Sequence, residues 1–157
     1  MNQPQINQIG IADVEFGKNV TVVSPVNLYG CVIGDDVFIG PFVEIQKDVT
    51  IGERTRIQSH AFICELISIG KDCFVGHGVM FINDPFTNGG PARGDRLLWK
   101  QTKIGDNVSI GSNVTILPVE VCSNVVIGAG SVVTKDINVS GIYAGNPIRL
   151  IKTLPND

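Results

Sequence analysis

His60 and His77 are the only side chains in this 157-residue sequence whose ordinary pKa suits proton exchange near neutrality. A positioned histidine contributes about 10²–10⁴-fold where a reaction needs a general base. Asn83, Glu65 and Lys47 form a second set, spaced eighteen residues apart. They bring an amide, a carboxylate and an ammonium group into register if the chain repeats at that interval. Gln46 and Gln58, outward and each next to an inward position, add amide donors and acceptors. Zinc catalysis of the carbonic-anhydrase kind asks for about three imidazole-type ligands, and two histidines at non-stacking positions do not supply them. Cys31, Cys64, Cys73 and Cys122 show no CxxC pairing, so they read as reduced structural thiols, with Cys73 a small buried hydrophobe.

What positions these groups is a ruler in the sequence. From Ile33 an aliphatic or aromatic residue returns every six positions, at Ile39, Ile45, Ile51, Ile57, Ile63, Ile69, Val75 and Phe81. Four residues after each comes a second, generally smaller residue, such as Val37, Val43, Val49, Thr55, Ala61 and Cys73. A helix would bury residues at spacings of three and four, and a half-buried strand would alternate. A period of six fits a short strand plus a turn, three to a triangular coil of eighteen residues, and predicts a parallel β-helix of hexapeptide repeats. Coils then stack about 4.8 Å apart, as neighbouring strands do. The polar pairs Asp35-Asp36 and Lys71-Asp72 suit exposed corners. On this ruler Lys47, Glu65 and Asn83 share a ridge, whereas His60 stacks under Gly78 and not under His77.

The beat covers most of the chain and counts to about six coils in one domain spanning 1–157. It shortens by one residue around Tyr29-Gly30-Cys31 and again near Leu117-Pro118-Val119, which predicts two tightened corners. Residues 1–15 carry weak signals (Ile6, Ile9, Ile11, Val14) and lead into or cap the solenoid. Between 83 and 103 the beat stops, and a segment rich in Pro, Gly and charge predicts a loop extruded from a corner. Leu97, Leu98 and Trp99 are too apolar to hang in water and predict docking on a partner surface. The C-terminal extension, 142–157, reads as a short helical cap opened by Pro147, with Ile148, Leu150 and Ile151 on its apolar side. The net charge of −3 argues against a nucleic-acid partner. No run of eighteen apolar residues predicts membrane insertion, and Met1-Asn2-Gln3-Pro4-Gln5 has no signal-peptide character. A cytoplasmic protein is the expectation.

The repeat resembles the left-handed β-helix hexapeptide acyltransferases, a fold seen chiefly in homotrimers; the winding hand comes from that resemblance. VVIGAGSVVTKDI with GIYAGNPIRLIK (Val125 to Lys152) looks like the terminal signature of the coenzyme A-dependent members. GPFVEIQKDVTIGERTRIQSHAFICE and the run from Cys73 to Asp84 resemble the nucleotide-sugar N-acetyltransferases of surface-polysaccharide (lipopolysaccharide) biosynthesis. The resemblance implies acetyl-CoA as co-substrate, a UDP- or dTDP-linked amino sugar as acceptor, no metal, and active sites between subunits of a homotrimer. After Asn83-Asp84 the chain departs from relatives acting on a 3-amino UDP-glucuronate derivative, which continue with Pro-Arg-Ala-Thr. Here it reads Pro85-Phe86-Thr87-Asn88, so the loop's sugar contacts differ.

Carried onto this sequence, the resemblance makes His77 a candidate general base and Asn83 the amide beside the reacting centre. Glu65, Gln58, Gln46 and His60 become candidate substrate contacts. Gly111, Ser112, Gly128, Ala129, Ala144, Asn146 and Pro147 would line a pantetheine groove, with Lys135 and Arg149 meeting the coenzyme A phosphates. Each polar candidate has a structural alternative, as a corner hydrogen bond or an ordinary surface charge. Two other functions stay open: an O-acetyltransferase acting on a serine-like or simple-sugar hydroxyl, and a non-catalytic β-helix assembly subunit. A γ-class carbonic-anhydrase-like zinc protein is disfavoured by the histidine count.

Overall fold

A computed structural model describes residues 4–6 and 8–154; the expectations placed on Met1, Asn2, Gln3 and the last three residues of the C-terminal extension lie outside these. Short parallel strands wind into three faces. Face 1 stacks seven strands, among them Asn27–Tyr29, Glu44–Ile45, Phe62–Ile63, Met80–Phe81, Thr115–Ile116 and Val132–Val133. Face 2 stacks six, including Thr50–Ile51, Ile67–Ile69 and Thr102–Ile104. Face 3 stacks eight, including Arg56–Ile57, Phe74–Val75, Ser109–Ile110 and Val125–Ile127. The result is an all-β parallel β-helix of about seven turns. The left-handed winding implied by the resemblance is consistent with the hexapeptide repeat. The extra turn relative to the sequence count comes from the weakly patterned N-terminus, where Ile11–Ala12 and Glu15–Phe16 already pair with the next coil.

The ruler is the core. Leu28, Ile39, Ile45, Ile57, Ile63, Val75, Phe81, Ile110 and Ile116 are all 0% exposed and stack in columns along the axis. Register follows the spacing: Phe62 lies beside Glu44 and Met80, and Phe74 beside Arg56, each eighteen positions away. Two shortened corners fall where the beat lost a residue. Leu28 pairs with Ile45 and Lys103 with Glu120, seventeen positions apart, whereas Val32 pairs with Thr50. At the first of these Gly30 adopts φ +59°, and a Cβ there would stand 2.7 Å from the Lys47 Cβ.

Between Phe81 and Thr102 one corner extrudes a loop without disturbing the stack, and Ile67 pairs directly with Thr102 across it. The loop carries a single 3₁₀ turn, Arg96–Leu98. Its Leu98 and Trp99 are half-buried against this chain, while Leu97 is 93% exposed.

The C-terminal segment differs from the expected helix. Gly141–Ala144 adds a strand to face 3, and Arg149–Thr153 returns antiparallel to it. The last coil leaves a ladder of backbone donors and acceptors open, and a strand satisfies them where a helix would not.

Candidate active site

Strand register assembles the candidates into two vertical rows on either side of face 1. The first row runs along the corner between faces 3 and 1. There Ser59, His77, Ser112, Ala129 and Gly145 occupy equivalent positions in successive coils. Backbone bonds hold that stacking: Gly78 N–H donates to the Ser59 carbonyl at 3.0 Å, Asn113 to His77 at 2.8 Å and Gly130 to Ser112 at 2.9 Å. One position earlier stand Gln58, Gly76, Gly111, Gly128 and Ala144. One position later stand His60, Gly78, Asn113, Gly130 and Asn146. The candidate cofactor residues Gly111, Ser112, Gly128, Ala129, Ala144 and Asn146 thus lie directly beyond His77 on its own corner.

His77 is exposed, and its Nδ1 sits 2.8 Å from Ser59 Oγ. That bond fixes the ring plane and leaves Nε2 free of the corner. His60, by contrast, adopts φ +64° and stacks on Phe42, with ring centroids 4.9 Å apart. Its ring therefore points along the corner and not toward His77, as the ruler requires. At the far end of the row Ser131, fully buried, donates to the Gly128 carbonyl at 2.6 Å and accepts from Gly145 N–H at 3.0 Å. It ties the turn containing Asn146 and Pro147 to the last coil. Arg149 pairs with Ala144 across the hairpin and stays exposed.

The second row follows the corner between faces 1 and 2: Gly30, Lys47, Glu65, Asn83, Pro118 and Lys135. Lys135 therefore stands on a different corner from the other cofactor candidates. Asn83 Nδ2 donates to the Glu65 carbonyl at 3.2 Å. Glu65 N–H donates to Gln46 Oε1 at 3.3 Å, and Gln46 Nε2 donates to Glu44 Oε1 at 2.8 Å. Lys47 Nζ lies 3.8 Å from Glu65 Oε1. The predicted ridge of Lys47, Glu65 and Asn83 is thus a connected polar network. Tyr29, one coil below, has its phenol pushed above the usual value by burial and by the charges of Glu44 and Glu65.

The extruded loop roofs this second row. Asp84 braces it by accepting from Phe86 N–H at 3.0 Å and Ala92 N–H at 2.7 Å, and Lys100 N–H donates to the Asn83 carbonyl at 2.8 Å. A cavity of about 230 Å³ opens between loop and solenoid, with Phe62, Phe86 and Trp99 as aromatic walls and Gln46 and Asn83 as polar edges. Arg96 reaches down from the loop to Asp48 Oδ2 at 2.5 Å and to within 3.1 Å of Glu65 Oε2.

Reasoning from the sequence missed Ser59, Phe62, Phe86, Arg96 and Trp99 as parts of this site. Ser59 was findable, being eighteen residues before His77; the loop residues carry no periodicity that could have placed them.

The chain is similar to known proteins in its repeats and in its fold. Residues 30–65 match the family described as bacterial transferase hexapeptide (six repeats), and residues 101–135 match the hexapeptide repeat of succinyl-transferase. These two stretches of the chain are thus similar to the hexapeptide repeats of bacterial transferases. Among curated relatives of this hexapeptide-repeat chain, the bifunctional protein GlmU of Thermotoga maritima is 32% identical over 161 aligned positions, covering 90% of this chain and 33% of that protein. The chain thus spans about a third of that relative's length.

Among solved structures, a galactoside acetyltransferase in complex with coenzyme A superposes with a TM-score of 0.67 at 28% identity, over 78% of this chain and 64% of that one. A single-site mutant of AntD, an N-acyltransferase from Bacillus cereus in complex with dTDP and coenzyme A, superposes at 0.68 with 23% identity, over 90% and 84%. Among the described residues no helix is long and apolar enough to cross a membrane, and no group of three or more His, Cys, Asp or Glu is placed to hold a metal.

Proposed function

We propose that this chain transfers an acetyl group from acetyl-CoA to the amino group of a nucleotide-linked sugar. The observation that carries the reading is the row Ser59–His77–Ser112–Ala129, which sets an oriented imidazole in line with a corner of small residues. Gly111 and Gly128 let the coils stack closely there, a Cβ on Gly111 standing 2.5 Å from Ala129 N, and backbone groups of this corner would be the partners of an extended pantetheine arm. Asn146 and Pro147 close the upper end, and Arg149 supplies a charge for the phosphates. Lys135, on the other corner, meets those phosphates only if a neighbouring subunit brings its own corner alongside. The reading therefore includes a homotrimer with shared sites.

The acceptor enters from the Asn83 side, where the aromatic walls suit a sugar ring and the AntD relative's dTDP offers a nucleotide precedent. The amine lone pair attacks the thioester carbonyl, the C–N bond forms, the C–S bond breaks, and the coenzyme leaves as its thiolate. An amine with a pKa of about 7.7–8.0 is partly neutral near pH 7, so attack does not wait for a strong base. His77 Nε2 takes the proton the nitrogen then sheds, with Nδ1 held by Ser59. The Asn83 amide orients the acceptor or donates to the developing oxyanion, and most of the rate gain is positional.

The competing reading is O-acetyl transfer. The oriented His77 favours it, because a hydroxyl needs that base, and the galactoside acetyltransferase is the matching relative. Acetyl-CoA consumption measured with paired amino and hydroxyl sugar nucleotides separates the two. Turnover with amino sugars alone is expected, and turnover with the hydroxyl member alone would sink the N-acetyl reading.

A further inference from the structure

Among the described residues Glu65 is the one buried carboxylate, 8% exposed. Its backbone is fixed on both sides, the N–H by Gln46 and the carbonyl by Asn83. Its side chain is less well served. Oε1 is 3.8 Å from Lys47 Nζ, beyond a hydrogen bond. Oε2 is sealed from solvent and accepts no hydrogen bond. Arg96 Nη2 stands 3.1 Å from it as an ion pair outside hydrogen-bond geometry, while donating a hydrogen bond to Asp48 Oδ2. Coulomb attraction alone links Arg96 to Glu65. A buried carboxylate oxygen without a donor is costly to maintain, and such groups ask for a functional explanation. Arg96 is held by an exposed pair with Asp48, which contributes little, and by the charge of Glu65 without a completed hydrogen bond. The loop's feet are firmer, being tied by the Asp84 carboxylate and by Lys100 on Asn83.

We propose that the loop is a strap closed by Arg96, and that the acceptor substrate takes Arg96's place at Glu65 Oε2 by presenting a polar hydrogen to it. This rests on the reading of the acceptor as an amino sugar. The sugar ring would enter the cavity beneath Phe86 and Trp99, beside Gln46 and Asn83, and bring either a ring hydroxyl or its ammonium to the carboxylate. The two donors differ in consequence. A carboxylate on the ammonium favours its charged form and holds back the nucleophile. A carboxylate on a neighbouring hydroxyl orients the ring and leaves the amine free. In both cases Glu65 makes a contact that Arg96 does not complete, so the acceptor replaces an imperfect partner.

The test reads the strap and the chemistry separately. Trypsin cleavage after Arg93, Arg96 and Lys100 reports strap opening in the intact protein without acetyl-CoA. Arg96→Gln is expected to speed cleavage at the remaining sites about fivefold and to lower the acceptor KM by a similar factor, with the acetyl-CoA KM unchanged. UDP-3-amino-3-deoxyglucose and UDP-glucose serve as probes. Faster cleavage at Arg96 with both assigns a hydroxyl to Glu65; faster cleavage with the amino sugar alone assigns the ammonium. Glu65→Gln, checked for an unchanged melting temperature, is expected to abolish that response. No response to either probe overturns the proposal, as does an acceptor KM that rises in Arg96→Gln. Accelerated cleavage without any acetyl transfer would instead sink the amino-sugar reading and leave the strap standing.

Discussion

His77 and its neighbour Ser59 make the sharpest statement available from single residues. If the Ser59 bond only orients the ring, Ser59→Ala should cost about tenfold or less in kcat, whereas His77→Ala should cost about 10²-fold. Steady-state rates with the amino acceptor check both, and equal losses would mean that the pair acts as a unit. Asn83→Ala should cost about 10²-fold or more if its amide stabilises the oxyanion. The thiols are chemically quiet for a stated reason. Burial pushes Cys31 up to about 11 and Cys64 up to about 12, so both stay protonated where an unfolded thiol, ordinarily near 9.0, ionises. The unfolded state therefore loses these protons first. Their contribution to stability is fully present below pH 9 and declines as pH rises toward 11–12. Iodoacetamide labelling at about pH 8 should reach half-buried Cys122 well before Cys64, and matched rates would contradict the buried assignment.

At the level of the repeat, the corners have a conformational ruler of their own. From Gly30 to Gly78 every sixth residue lies in the left-handed region: Asp36, Phe42, Asp48, Arg54, His60, Leu66 and Asp72. Asp tolerates that conformation, so the corners at 36, 48 and 72 were legible in the sequence. Phe42, Arg54, His60 and Leu66 were not, because a residue other than Gly costs roughly 1–2 kcal/mol there and the coil imposes it regardless. Close stacking adds a second constraint. A Cβ on Gly52 would lie 2.5 Å from the Gly70 backbone, so Gly52→Ala should cost about 1–3 kcal/mol, visible as a lower denaturation midpoint with KM values unchanged. The core columns, both shortened corners, the loop exit and the ridge of Lys47, Glu65 and Asn83 could all be read by counting. The C-terminal strand could not: Pro147 looks like a helix opener, and only the unpaired ladder beyond Val125–Ile127 decides for a strand. Nor could the loop's fold-back, since Arg96 meets Asp48 across forty-eight residues with no repeat to relate them.

For the whole molecule, the two rows flank one face from opposite corners, which is why the proposed reaction asks for more than one copy. Sedimentation should give three times the chain mass, and a monomer that retains full turnover would refute shared sites. One further consequence lies in the insertion between Phe81 and Thr102. Along most of the helix each coil is added after closing a segment of about eighteen residues, but at this step Lys71 meets Asp106 only after thirty-five. Doubling a closed segment adds roughly 0.6 kcal/mol of chain entropy. In a stack where each layer touches only its neighbours, that makes a kinetic seam. Native-state hydrogen exchange should show amides from Asn27 to Phe81 opening as one cooperative block and those from Thr102 onward as another. The strap that would guard the acceptor would also be the place where the polypeptide pauses as it assembles.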